Sequence, residues 1–358
     1  MGAAATPAAR ERGWGPTVAA LAACLAVAAA PVWPRAAGLA AAFVRALVPI
    51  EQTMLLVVPA VAACAIVGWW AGGRLLLALA WTALAAWVLR QPLPAGTGEY
   101  ATLARGWSLL VASAFGLVCL VGPRRPFLMR ALSALGLAVF AGAVATVARG
   151  SDVRQLGAVM TVEYERRVES SLAGWQRHTR DAASEPFATR SPELAARADD
   201  AAARLHRLPL AAAAVAPALV GLESLAALGL AWGLYHRLSR ARLGAPLGAL
   251  RGFRFSDQLV WALVAGASMA ILPTLAPLRG VGLNLLIFFG ALYALRGLGI
   301  LRWLAPDRVA AVALLALLLL VPVLGILLLA GTLAVVALAV GLGDTWGDWR
   351  NRSARPTT

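Results

Sequence analysis

The sequence predicts an all-α fold, a polytopic transmembrane helix bundle of about 8–10 spans with an extracytoplasmic amphipathic helical hairpin. Three observations carry this. Of 358 residues, 61% are hydrophobic, and the mean hydropathy is +0.76. A soluble domain has roughly 45–50% apolar residues, and one core would leave the surplus facing water. The apolar residues come in runs near the length that crosses a bilayer, about 20 residues. The arginines cluster at the ends of those runs, where a membrane protein places its positive charge.

The net charge is +15, and all 32 basic residues are arginine. Without lysine there is no P-loop, no Schiff-base chemistry and no kinase strand lysine. The sequence holds no HExxH, GxSxG or dinucleotide fingerprint, so we expect no enzyme, no metal and no cofactor. No basic stripe lies on a soluble domain, which argues against nucleic acid. Cys24, Cys64 and Cys119 each sit in an apolar run and read as small buried hydrophobes. Leu21-Ala-Ala-Cys24 resembles a lipoprotein box, but Leu25 to Val32 is apolar, which favours a first helix over a cleaved leader.

The elements follow in order. The first span runs from about Thr17 to Trp33, with Arg10 and Arg12 before it, which places the N-terminus inside. Residues 35–52 carry Arg45, Pro49 and Glu51 and form an interfacial or re-entrant segment. Spans follow at Thr53 to Ala71, Leu75 to Leu89, Gly106 to Val121 and Phe127 to Ala148. Glycine and proline punctuate the turns between them.

Residues 149–207 differ in character, with ten arginines and nine of the seventeen acids. Val153, Leu156, Met160, Tyr164, Val168, Leu172 and Trp175 recur at spacings of three and four, an amphipathic helix with one apolar stripe. Ser191-Pro-Glu193 starts a second helix, about Pro192 to His206.

The sixth span is about Leu208 to Tyr235. The loop after it holds Arg237, Arg240, Arg242, Arg251 and Arg254 and marks the cytoplasmic side. Spans follow at Asp257 to Leu275 and Val281 to Trp303. The run from Arg308 to Leu342 is too long for one crossing, about 50 Å as a helix, and Pro322 and Gly325 offer a break into two short spans. Four regions result: a bundle over 1–148, the outer hairpin over 149–207, a second bundle over 208–343 and a cytoplasmic tail over 344–358. Trp33, Trp69, Trp70, Trp107, Trp232, Trp303, Trp346 and Trp349 lie near span ends, as an aromatic belt would.

Three polar residues inside spans are candidates for binding a solute or proton. Glu223 sits near the middle of the sixth span, where a carboxylate has to be paired, protonated or wet. Arg296 lies inside the eighth span, either lining a site or snorkelling to the interface. Asn284 lies towards the other end of that span and either lines the site or joins helices.

The C-terminal half carries a resemblance. Phe253-Arg-Phe-Ser-Asp257 enters one span. Asn284-Leu-Leu286 starts the next, which continues through Tyr293-Ala-Leu-Arg296-Gly297. Gly341-Leu-Gly-Asp344 precedes Trp346, Asp348 and Arg350. Over about residues 205 to 350 this resembles the YybS-like family of bacterial multi-pass membrane proteins, a domain of unknown function. The resemblance marks Asp257, Tyr293, Gly297 and Asp344 as family-motif positions, with Arg296 where that family carries glutamine. The family is distantly similar to S components of energy-coupling-factor transporters. That implies a substrate-binding bundle in a bacterial inner membrane, with lipid as its surroundings and an ATPase module or other subunits as partners. The alternative is a non-catalytic scaffold that docks partners through the hairpin and the arginine loop.

Overall fold

The computed structural model describes residues 53–92, 98–122, 125–148, 150, 153–181, 208–239, 243–305 and 326–349. The expected first span, the 35–52 segment, the second hairpin helix, the Pro322–Gly325 break and the end of the tail lie outside these. Among the described residues the chain is all-helical, with nine α-helices. They are α1 (Thr53–Trp70), α2 (Leu75–Arg90), α3 (Gly98–Val121), α4 (Phe127–Ala148), α5 (Val153–Asp181), α6 (Leu208–Leu238), α7 (Val260–Ile271), α8 (Arg279–Leu304) and α9 (Ile326–Gly347). Five stretches are long and apolar enough to cross a membrane: α1, α3, α4, α6 and α8 with the short turn before it. Helices α2, α7 and α9 are shorter and apolar. Trp70, Leu76, Phe140, Val147 and Ile271 are each at least two-thirds exposed on these helices. Lipid solvates such residues at no cost, and water does not. The protein is a polytopic membrane helix bundle.

The chain divides into two compact units, with one boundary inside α5 and one inside α6. In the first unit α1 is the central helix. It is apolar on every side and buried from Leu55 to Val58 and again from Pro59 to Ala62, as a helix surrounded by others should be. Val58 and Ala62 pack on Ala85 and Trp81 of α2. Phe115 of α3 meets Phe127 of α4 and Trp232 of α6 edge-on. Helix α1 stops at Gly72, which holds φ +95°. Gly73 N–H donates to Gly68 and Gly72 N–H to Trp69, a Schellman closure that needs a residue free to turn left-handed.

In the second unit α8 is the central helix, with α7 and α9 packed on it. Glycine lets the backbones meet. A Cβ on Gly297 would run into the Ala337 carbonyl of α9, and one on Gly341 would run into the Tyr293 carbonyl of α8. Helix α7 is cut to twelve residues because Pro273 follows it and turns Leu272 extended.

Two of the tryptophans near span ends have hydrogen-bond partners inside the bundle. Trp232 is fully buried and donates from its indole to the Ala245 carbonyl at 3.1 Å. Trp107 donates to the Ser224 hydroxyl at 2.9 Å. An indole N–H inside a bundle finds a partner there. Trp70 and Trp346 are mostly exposed.

Candidate functional site

Two polar constellations stand inside the bundle, one in each unit. The second unit's is built on Arg296, in the second half of α8. Its side chain is 0% exposed, so it does not snorkel to an interface. Instead it is closed in by two acids. Its Nε and Nη2 both donate to Oδ2 of Asp344, at 3.1 and 2.9 Å. Its Nη1 donates to Oδ1 of Asp257 at 2.6 Å. Asp344 comes from α9 and is fully buried, whereas the Asp257 side chain is 54% exposed. The guanidinium lies over the Phe255 ring at 5.5 Å, and Phe255 meets the buried Tyr293 edge-on. Charge, hydrogen bonds and ring all act on one buried cation, which satisfies what burial alone would penalise. Four of the positions singled out from sequence (Asp257, Tyr293, Arg296 and Asp344) therefore meet, and Gly297, beside Arg296, makes the close approach of α8 and α9.

A cleft of ≈ 430 Å³ opens beside this clasp, lined by Asp257, Gln258, Val260, Trp261, Val264, Thr345 and Trp346. Asp257 is thus both a partner of Arg296 and part of the cleft wall.

Asn284 lies three turns up α8 from Arg296. Its Nδ2 donates to the Ala214 carbonyl at 2.8 Å, and its Oδ1 accepts from the Ala218 N–H at 2.8 Å. Those two backbone groups are the pair an i→i+4 bond of α6 would join. The amide sits between them, one residue from Pro217 in that helix. Proline disturbs the local hydrogen-bond ladder, and Asn284 supplies both a donor and an acceptor there. Its polar groups are engaged with the backbone.

The first unit's constellation surrounds Glu223 of α6. The carboxylate accepts a hydrogen bond from the Thr53 hydroxyl at 3.2 Å, and Arg167 lies within electrostatic reach. Beside it, the buried Ser224 accepts from Trp107, and the Ser108 hydroxyl donates to the Leu55 carbonyl. The polar residues of α1, α3 and α6 thus meet inside apolar helices.

The charged neighbours come from α5. Glu163 is fully buried, and Oε1 accepts from Arg166 at 2.6 Å and from Arg167 at 2.8 Å. Arg167 also donates to the Tyr100 hydroxyl. Its guanidinium lies over the rings of Tyr100 and Tyr164, at 4.9 and 5.1 Å. Burial works against the Arg167 charge, yet Tyr100 and Glu163 hold it above the ordinary guanidinium range. Burial pushes the Tyr164 phenol up to about 12, against the pull of Arg167.

Tyr164, Val168 and Leu172 of the apolar stripe are buried, while Leu156 is 43% exposed. The buried face also includes Glu163 and Arg167, which apolar spacing alone passes over. Their separation of four residues, flanking Tyr164 and Val168, is the signal that could find them. Arg130, near the start of a span, leaves no such signal in the sequence. It is 1% exposed, donates to the Leu243 carbonyl at 2.6 Å and lies 4.9 Å from the Trp232 ring centre.

Among the described residues, no three His, Cys, Asp or Glu side chains are grouped so as to hold a metal. No family model, curated protein or solved structure matches the chain.

Proposed function

We propose that this membrane protein is transporter-like and takes up a proton or small cationic solute at Glu223. One observation carries the reading. Glu223 is a carboxyl on an apolar helix, and its hydrogen-bond partner is a neutral hydroxyl. Among the described residues no ion pair holds it, so it can gain a proton or meet a cation without first breaking one. Asp344 in the other unit lacks that freedom, because Arg296 holds it twice. Intramembrane carboxyls mark substrate and proton paths more often than they serve as packing. In this proposal the chain is not an enzyme, both termini face the cytoplasm of a bacterial inner membrane, and partner subunits supply any ATPase, as the YybS-like resemblance implies. The scaffold alternative draws on α5, where Gln155, Glu165 and Glu169 present an exposed polar face.

Proteoliposomes test the proposal. The full chain is reconstituted around a trapped pH-sensitive dye, and a potential is imposed. Wild type should acidify the lumen well above empty vesicles. Glu223→Gln should lower that rate by about tenfold, at equal protein per vesicle. A wild-type rate equal to that of empty vesicles, or a Glu223→Gln rate equal to wild type, would sink the proton reading. Deleting residues 152–206 separates the scaffold alternative: loss of a cellular phenotype that Glu223→Gln leaves intact would favour it.

A further inference from the structure

The cleft beside the Arg296 clasp has three properties that the Glu223 reading does not use. Its walls are mostly apolar, yet they include one half-exposed carboxylate, Asp257. Two tryptophans line it, Trp261 and Trp346, each about 70% exposed. The clasp itself sets two aspartates against one arginine. The neighbouring Arg254–Asp348 pair, at 2.8 Å, adds no net charge. Of the two acids on Arg296, Asp344 is buried and Asp257 is the half-exposed one. Arg296 engages Asp257 through Oδ1, and among the described residues Oδ2 takes no hydrogen bond, while Asp257 lines the cleft. A carboxylate sharing a cleft with two exposed tryptophans suits a cation that is also partly apolar.

The surroundings select which cation. Trp261, Val264 and Ile271 are all exposed and share one face of α7, at spacings of three and seven. That face leads away from Asp257 for ten residues, about 15 Å, which is half of a hydrocarbon core of about 30 Å. It is the reach of one leaflet. A soluble amine has no use for such a track, whereas an acyl chain does. A carboxylate oxygen also favours a head with N–H donors over a quaternary one.

We propose that this cleft binds the primary ammonium head of a zwitterionic phospholipid, with Asp257 as the counter-charge, Trp261 and Trp346 as walls, and the acyl chains along α7. The site is independent of Glu223.

Native mass spectrometry of the full chain in detergent tests it, with phosphatidylethanolamine, phosphatidylcholine or phosphatidylglycerol added in turn. Wild type should retain one phosphatidylethanolamine in preference to the other two. Trp346→Ala should weaken that retention by about fivefold, the scale of a lost cation–π wall, and Asp257→Asn by roughly tenfold. Asp257→Asn also loosens the clasp, so the tryptophan variant, outside the ion pairs, decides the matter if the aspartate variant folds poorly. Equal retention by Trp346→Ala and wild type overturns the proposal. So does equal retention of phosphatidylglycerol, which would mark ordinary surrounding lipid. Full displacement of the lipid by millimolar ethylammonium chloride overturns the lipid assignment in favour of a soluble amine.

Discussion

The two units solve one problem, a charge inside an apolar bundle, in different ways. In the second unit Arg296 is held by acids on two sides and capped by a ring. The groups of the clasp converge on α8 from the elements around it. In the first unit Arg167 is shared between an acid and two tyrosines, and the nearby Glu223 leans on a hydroxyl. In the clasp both carboxylates are engaged by Arg296. In the first unit the buried-helix carboxyl of Glu223 has no ion pair among the described residues and accepts from Thr53 instead. The difference sets a charge engaged by two acids against a carboxyl whose partner is a hydroxyl, the one proposed for exchange, and it can be broken experimentally at either end.

The largest effect belongs to the clasp. Arg296→Met leaves Asp344 buried without its cation, which costs about 3–5 kcal/mol. We expect membrane abundance to collapse and the melting temperature in nanodiscs to fall steeply. Arg296→Met combined with Asp344→Leu removes the stranded charge and should recover most of the loss, since apolar replacements of a whole buried pair are often neutral. If the single variant melts within a degree or two of wild type, Asp344 is not held by Arg296 in the way its geometry indicates, and the contrast between the units fails.

A smaller effect probes the first unit through pH. Tyr164 lies on α5, outside the spans, and burial holds its phenol at about 12 when folded, against about 10 in an unfolded chain. The folded state favours the protonated phenol. The stability this contributes is fully present below pH 10 and is lost as pH rises from 10 to about 12. A difference of that size corresponds to roughly 2–3 kcal/mol at the upper end. Thermal melts between pH 9 and 12 should therefore decline more steeply for wild type than for Tyr164→Phe. Coinciding curves would mean the ring is wetter than its 1% exposure, and that Arg167 sits in a softer site than Arg296.

How much of this is legible in the sequence depends on what kind of signal each residue leaves. Span positions are readable because apolar runs are long and because glycine and proline break them. Helix α4 spans Phe127–Ala148, the limits that the sequence predicts. Arg296 announces itself as a charge inside a run, but its partners do not. Asp257 and Asp344 lie at run ends, where acids are ordinary, and their sequence separations from Arg296 are 39 and 48 residues. No periodicity links residues so far apart. The link lies in the glycines that bring α8 and α9 together, and a small residue in so alanine-rich a chain is weak evidence. Glu163 and Arg167 are hidden for the opposite reason. They sit in the charged insert, where ion pairs are expected at the surface and not within a buried face.

Asn284 gives the smallest and most discriminating effect. It is polar and inside a span, so sequence ranks it with Glu223 as a site residue. The geometry assigns it to the backbone of α6 at Ala214 and Ala218. Asn284→Ala removes a donor and an acceptor from a helix disturbed by Pro217, and such intramembrane bonds contribute about 0.6–1 kcal/mol. Pro217→Ala should soften the loss, because a regular helix can then join Ala218 to Ala214 directly. A double-mutant cycle on thermal stability measures that coupling. The proton flux proposed for Glu223 should be unchanged in Asn284→Ala. A flux that falls with Asn284→Ala at full stability would return Asn284 to the solute path and remove the distinction between residues that support the bundle and the carboxyl proposed for exchange.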